Sequence, residues 1–263
     1  MVLSIAGFDP SGGAGIIADV RTIESFGCTA VAAITSITFQ NAARYFGAIH
    51  QPADLVRKQI EAIAVDYSIG AVKIGMLPTA EIVSQVAWLI GELNLPAPVV
   101  DPVTRSTTGG ELMSDDAFEL FVTELLPQAR VVTPNIPEAE KLGGVNIHDE
   151  GQMRQAAARI RELGARAVLI KGGHLDNRGA SQTVTEGSYS PTREAVDVLD
   201  DDGRVTVYRG EWIDAASVRG TGCMLSSAIA AGLAKDVNLA EAIQAAKEFV
   251  ATQIQNSRLK TQN

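Results

Sequence analysis

Six short apolar runs, Val2–Ala6, Val31–Ile37, Ala71–Ile74, Val99–Asp101, Val131–Thr133 and Val168–Lys171, alternate with longer stretches near 13–26, 53–65, 79–93, 114–124 and 150–163. Runs this short and this continuously apolar suit strands buried on both faces. The longer stretches carry helical stripes. In one, Leu55, Ile60 and Ile63 face inward with Arg57, Lys58 and Glu61 outward; in another, Met153, Ala157, Ile160 and Leu163 line up at three- and four-residue steps. Repeated strand–helix units predict an α/β fold, a parallel sheet with helices on both faces. Ser114-Asp115-Asp116 reads as a helix start and Gly164 as a helix stop. Residues 176–214 break the rhythm, being rich in Gly, Asp, Ser and Thr. Within them Ala195–Leu199 and Val205–Tyr208 flank Asp201-Asp202-Gly203, which reads as a β-hairpin on the sheet edge. Residues 176–193, with Gly179, Gly187 and Pro191, are open between a flap and plain surface. Helices near 221–235 and 239–256 finish a single expected domain, 1–263, without repeats or linkers.

Composition narrows the function classes. The chain has 22 basic and 31 acidic residues, a net charge of −9, which argues against a nucleic-acid groove or an anionic membrane surface. Cys28 and Cys223 are too few and too far apart for a disulfide framework or a zinc site, which fits a reducing, cytoplasmic setting. The N-terminal run lacks a basic leader region and no apolar run approaches 18 residues, so neither a signal peptide nor a membrane span is expected.

Chemistry concentrates at the ends of the apolar runs, where ligands bind in open α/β sheets. The richest stretch is Arg219-Gly220-Thr221-Gly222-Cys223-Met224-Leu225-Ser226. Glycines around Thr221 let successive N–H groups converge, and the helix starting there adds its positive dipole end, so the loop suits an anion. Cys223 sits on the first turn, where a thiol is expected to have a lowered pKa and to serve as a base; the alternative reading of the stretch is a glycine-rich turn followed by a core helix with a buried Cys. Gly13-Ala14-Gly15-Ile16-Ile17-Ala18 matches a dinucleotide-binding glycine pattern. The following run, however, offers Thr35, Ser36, Thr38, Gln40 and Asn41 but no acid for a ribose. The phosphate-binding pattern G-x-x-x-x-G-K-[ST] is absent, leaving the Gly172-Gly173 turn and the Gly220–Gly222 loop as candidates for nucleotide phosphates. Gln40 can accept from an exocyclic amine and donate to an adjacent ring nitrogen, the logic by which Gln reads adenine; taken alone, a glutamine at the end of a run also reads as a solvated loop residue. Glu138 beside Asn135 can hold a hydrated Mg²⁺, and the same residues can begin a helix with an acid in its first turn. Lys171 ends a buried run and needs a partner, phosphate or carboxylate. Asp9 and Asp101 are open between turn residues and ligands.

Seven motifs, in order, then resemble a known family: Ile-Ala-Gly-x-Asp-Pro-Ser-Gly-Gly-Ala-Gly from Ile5, Gln40-Asn41, Lys-Ile-Gly-Met-Leu at 73–77, Asp-Pro-Val at 101–103, Thr-Pro-Asn-x-Pro-Glu at 133–138, Lys-Gly-Gly-His at 171–174 and Gly-Thr-Gly-Cys at 220–223. They look like the hydroxymethylpyrimidine/phosphomethylpyrimidine kinases of thiamine biosynthesis, in the ribokinase superfamily. The resemblance implies a ribokinase-like three-layer α/β/α fold with a mostly parallel central sheet and an edge β-hairpin. It also implies two ATP-dependent phosphorylations of 4-amino-5-hydroxymethyl-2-methylpyrimidine, to the monophosphate and then the diphosphate, with ATP and Mg²⁺ as cofactors. By the same resemblance Gly7, Gly13, Asp19, Gln40 and Met76 line the pyrimidine pocket. Thr133, Asn135, Lys171 and Gly173 border the nucleotide, Glu138 and Asp101 serve the metal, and Gly220, Thr221, Gly222 and Cys223 form the anion hole and base. A homodimer acting on a small molecule, without nucleic acid or membrane, is expected. A pyridoxal- or pyridoxamine-type kinase and a non-catalytic pyrimidine-binding protein are the alternatives.

The chain departs from the family's pattern in four places. Phe8 stands where Ser is usual and Ile17 where Gln is usual. Thr104–Thr108, with Arg105, is more polar than the usual apolar pair and Lys, and Val218-Arg219 replaces Thr-His. Arg105 and Arg219 are expected to redistribute charge around the nucleotide, unless the loops have drifted neutrally. No appended synthase or regulator domain is expected.

Overall fold

The alternating runs become one nine-stranded sheet. The computed structural model describes residues 1–41, 43–106, 109–173, 194–213 and 218–261. Its strands are β1 (Val2–Phe8), β2 (Ala30–Gln40), β3 (Tyr45–His50), β4 (Ala71–Ile74), β5 (Val99–Val100), β6 (Val131–Val132), β7 (Ala167–Lys171), β8 (Glu194–Asp201) and β9 (Arg204–Glu211). They lie in the order β3-β2-β1-β4-β5-β6-β7-β8-β9. The six from β2 to β7 in that order are parallel, while β3 at one edge and the β8–β9 hairpin at the other run antiparallel. The helices are α1 (Gly15–Ser25), α2 (Ala53–Asp66), α3 (Ala80–Glu92), α4 (Asp115–Leu120), α5 (Ile136–Gly143), α6 (Glu150–Glu162), α7 (Thr221–Leu233) and α8 (Leu239–Thr261).

Period-two alternation along the strands divides the core. Leu3, Ile5, Val72, Ile74, Val100, Val132, Val168 and Ile170 pack under α2, α3, α5 and α6. Their neighbours Val2, Ala71, Val99, Val131, Ala167 and Leu169 pack on the other side, under α1, α7 and α8. This is the layered α/β/α arrangement with an edge hairpin that the sequence implied.

Local signals set most boundaries. Ser114 caps α4 by accepting from the Ala117 N–H, and Gly164 sits just past α6 with φ +115°. Three expectations change. Strand β3 is an addition: Tyr45–His50 is short, interrupted by Gly47 and half-exposed, so it lacks a strand's apolar signature until β2 supplies hydrogen-bond partners. On α2, Val56 and Ile60 are buried and Leu55 is exposed, because the face meeting the sheet lies one residue further round. The helix expected over 114–124 stops at Leu120. Its next turn widens into a π turn over Phe121–Leu125 and ends in a 3₁₀ turn holding Pro127. The segment left open between flap and plain surface, 176–193 with Gly179, Gly187 and Pro191, lies outside the described residues, as do His174, Thr107 and Thr108.

Candidate functional site

The C-terminal ends of the parallel strands converge on the start of α7. Gly220 is the residue before that helix, with φ +72° and no side-chain cap on the N–H groups that follow. A Cβ on Gly220 would lie 2.2 Å from the Gly13 carbonyl oxygen, so this loop packs directly on the loop after β1. Gly222 has an ordinary φ; its constraint is room. A Cβ there would sit 3.1 Å from Lys171 Nζ and 3.3 Å from Asp101 Oδ2. The uncapped helix start is therefore flanked by the Gly13 loop on one side and the Asp101–Lys171 pair on the other, a setting for a phosphoryl group.

Lys171 ends β7 and donates to Asp101 Oδ1 at 2.9 Å; its side chain is 18% exposed and that of Asp101 5%. Burial lowers the Lys171 pKa, but Asp101 and Glu138 outweigh it and hold the ammonium charged. Thr133, expected at the nucleotide, is fully buried, and its hydroxyl lies 3.4 Å from both Val100 O and Asp101 Oδ1. It supports Asp101 from below rather than facing the cleft. Asn135 and Glu138 form a reciprocal cap on α5: Asn135 Oδ1 accepts from the Glu138 N–H at 3.0 Å, and Glu138 Oε2 accepts from the Asn135 N–H at 2.9 Å. Burial pushes the Glu138 carboxyl up to about 7, Asp101 adds to the rise, and Lys171 with the N–H groups of Asn135 and Thr104 opposes it. The metal-ligand and helix-start readings of Glu138 thus meet in one side chain. Gly173 lies two residues past Lys171, its carbonyl accepting from Trp212 Nε1 at 2.8 Å, with nothing among the described residues within 4 Å of a Cβ position.

Cys223 reverses its expected electrostatics. Burial pushes the thiol up to about 11; Lys73 and a hydrogen bond from the Gly15 N–H pull it down, but Asp19 and Asp101 push with burial. Desolvation and two carboxylates outweigh the helix start.

Asp19 does not line the cleft. It is fully buried, accepting from Lys73 Nζ at 2.8 and 2.9 Å, from Ser4 Oγ at 2.7 Å and from Ser227 Oγ at 2.9 Å. Both its oxygens are occupied within the fold. Lys73 was the residue that sequence reasoning passed over, although a lysine inside the run Ala71–Ile74 demands a buried partner as surely as Lys171 does.

On the Gly13 flank, β1 and β2 slip register between Ala6 and Gly7, leaving Thr35 as an extra residue whose hydroxyl donates to Met76 O at 2.7 Å. Gly7 packs against Met76, whose Sδ lies 2.9 Å from the Cβ position. Gln40, at the end of β2, donates from Nε2 to Thr38 Oγ1 at 2.9 Å and accepts at Oε1 from Arg219 Nη2 at 2.6 Å. Arg219 Nη1 donates to Asn41 O and lies 3.4 Å from Ser11 Oγ. Arg219 therefore faces the Gln40 side, not the nucleotide side where its charge was expected. Arg105 is exposed, and its backbone pairs with that of Glu111 in an isolated antiparallel bridge within its loop. Gly13 lies beside this group, its Cβ position 3.5 Å from Arg219 Cβ and 3.7 Å from Asp9 Oδ2.

Comparisons agree with this geometry. The family model for phosphomethylpyrimidine kinase matches residues 9–263. The hydroxymethylpyrimidine/phosphomethylpyrimidine kinase of Aquifex aeolicus is 39% identical over 258 residues, covering 98% of this chain and 95% of the relative. A crystal structure of phosphomethylpyrimidine kinase from Clostridium difficile superposes with TM-score 0.80 at 37% identity, covering 96% of this chain and 98% of that one. The pyridoxal kinase of Staphylococcus aureus in complex with AMP-PCP superposes with TM-score 0.83 at 32% identity, covering 97% and 88%. With its loop glycines, strand-end Lys–Asp pair and capped Asn135–Glu138 turn gathered at one end of the sheet, and with a match over nearly its whole length, the chain belongs to the phosphomethylpyrimidine kinase family.

Proposed function

We propose that this kinase, one domain over 1–263, transfers a phosphoryl group from ATP to the hydroxymethyl oxygen of 4-amino-5-hydroxymethyl-2-methylpyrimidine, and a second to the resulting monophosphate. The observation that carries the reading is the uncapped start of α7 between the Gln40–Met76 side and the Lys171–Asp101 side. The ring sits over Gly7 and Met76 with its amine and ring nitrogen on Gln40. The nucleotide lies along Asn135, Lys171 and Gly173, and the transferring phosphoryl meets the N–H groups of Gly220–Cys223.

In each transfer an acceptor oxygen attacks the γ-phosphorus and the bond to the bridging oxygen of ADP breaks. The anion loop and Lys171 stabilise the equatorial oxygens, where most of the transition-state charge resides. The thiolate form of Cys223, a minor fraction at neutral pH because burial pushes the thiol up to about 11, receives the proton of the hydroxymethyl group in the first step; the Lys73 charge is what holds the thiol's pKa from rising further. The donor set fits a hydrated divalent ion: Glu138 is a buried carboxylate with a raised pKa, which a cation would relieve, and Asp101 stands nearby. Among the described residues no cluster of three or more such ligands exists to hold an ion without substrate phosphates. A bound Mg²⁺ would neutralise charge on the phosphates.

A homodimer is part of the proposal, its contact the exposed apolar face of Ile37, Phe39 and Ile49 on the β2–β3 edge. So is a cytoplasmic location, in keeping with two free cysteines; no described helix is long and apolar enough to cross a membrane. Mass detection of mono- and diphosphorylated pyrimidine from MgATP tests the reading, with pyridoxal in parallel. Product from pyridoxal alone, or no ADP release, would overturn it.

A further inference from the structure

The geometry points to Arg219 as a positioning residue that sets the polarity of the Gln40 amide, and so selects amino-substituted over oxo-substituted ring alcohols. The inference rests on the reading of Gln40 as the group that meets the acceptor ring.

An amide has two ends of nearly equal shape, and its direction is decided by what surrounds it. Here both neighbours agree. Arg219 Nη2 stands 2.6 Å from Oε1, and a guanidinium can only donate, so the oxygen end must face it. At the other end Gln40 Nε2 lies 2.9 Å from Thr38 Oγ1. Thr38 spends its own proton on Phe8 O at 3.0 Å, so it can only accept. Reversing the amide would set its NH₂ group against the guanidinium.

The two locks are not equal. Thr38 can rotate its hydroxyl and become a donor, whereas Arg219 has no acceptor to offer under any rotation, and its bond is charge-assisted. Arg219 is also tied to Asn41 O and lies beside Ser11, so it has little freedom to withdraw.

With the amide so fixed, one lone pair of Oε1 and one N–H of Nε2 remain for the ring. That order suits an exocyclic amine beside an unprotonated ring nitrogen. An oxo ring, with a carbonyl oxygen beside a ring N–H, presents the opposite order. It fits only the reversed amide, which Arg219 forbids.

The test compares kcat/KM for the 4-amino ring alcohol and for its 4-oxo counterpart, with MgATP, in wild type, Arg219→Ala and Arg219→Lys. Wild type is expected to favour the amino ring strongly. Arg219→Ala should reduce that preference by about tenfold or more, with Lys, still a pure donor, restoring part of it. On a Gln40→Ala background, Arg219→Ala should leave the preference unchanged, because there is no amide to orient. Should the Ala variant fail to fold, Arg219→Gln serves, since its amide can accept as well as donate. A merely structural Arg219 would lower both acceptors equally and leave the ratio intact, which overturns the inference. So does additivity of the Arg219 and Gln40 effects, or a loss confined to the KM for ATP. Wild-type protein that fails to phosphorylate the amino ring overturns the reading of the site itself, and this inference with it.

Discussion

Two lysine–aspartate pairs, each with its lysine on a strand of this sheet, look alike by distance. Lys73 meets Asp19 at 2.8 Å and Lys171 meets Asp101 at 2.9 Å. The first pair has no exposed surface, and Ser4 and Ser227 add hydrogen bonds to the Asp19 oxygens. The second is partly open, and one carboxylate oxygen of Asp101 points toward Gly222 at the start of α7. The chemistry of the residues is the same; the number of bonds left to make is not. A closed pair holds β1, α1, β4 and α7 together, because its members come from β4 and α1 and its serines from β1 and α7. An open pair can exchange part of its partnership for a ligand. Breaking a closed pair should cost stability, and breaking an open one should cost rate.

The largest effect is expected at the open pair's boundary. Gly222→Val forces atoms to within about 3 Å of both Lys171 Nζ and Asp101 Oδ2 and should cut turnover by at least ~10³-fold. Circular dichroism should still report a folded protein. Normal turnover by a folded variant would remove the α7 start from the phosphoryl site.

Asp19→Ala and Lys171→Ala then cross-examine the comparison. Removing Asp19 strands a buried ammonium and should destabilise by about 3–5 kcal/mol, a fall of about 10 °C in Tm. Lys171→Ala should change stability by less than about 2 kcal/mol while lowering kcat/KM by ~10²-fold or more. If thermal melts show Lys171→Ala as unstable as Asp19→Ala, the two pairs are equivalent and the distinction fails.

Gln40→Glu probes the other flank. The carboxylate can still accept from an amine but cannot donate to the ring nitrogen, and Arg219 would hold it as an ion pair. A loss of ~10² in kcat/KM for the pyrimidine is expected. An unchanged value in steady-state assays excludes Gln40 from the pocket.

Cys223 gives the smallest effect and the most diagnostic profile. A thiol raised to about 11 is protonated at pH 7. Its ionised fraction, and any rate that depends on it, climbs about tenfold per pH unit below that value. Monophosphate formation should therefore rise between pH 7 and 9 in wild type and flatten in Cys223→Ala, with a difference of ~10-fold to ~10²-fold at the upper end. Conversion of supplied monophosphate should be affected less, since that acceptor is already ionised near neutrality. Single-turnover measurements on each acceptor decide; equal losses in both steps assign Cys223 to geometry instead.

Much of the fold was legible because its signals are local. Strand–helix alternation, the Ser114 cap and the helix start at Asn135–Glu138 with its acid in the first turn are each written in nearby residues. Strand β3 was not, because its stability comes from pairing with β2 rather than from its own pattern. The face of α2 was misjudged by one residue, since Leu55 and Val56 are equally apolar and only the sheet distinguishes them. In the site, the glycine loop before α7 and Lys171 were readable as motifs. The burial of Asp19 and Thr133 was not, because a family motif marks a position without saying which way its side chain faces.

The sequence by itself determined the layer architecture, the order of its elements and the set of polar residues delivered to the strand ends. Those follow from periodicities of two and three to four residues and from glycine and cap placement, which act over short spans of chain. Only the tertiary structure decided which of those polar groups meet. Lys73 and Asp19 are 54 residues apart, and Arg219 and Gln40 are 179. Their pairing, the exposure left on each pair and the raised pKa of Cys223 depend on the local dielectric and on which charges face one another. Both are properties of packed neighbours; a lysine such as Lys73 in an apolar run signals that a partner exists, but the residues on either side do not say which distant element supplies it.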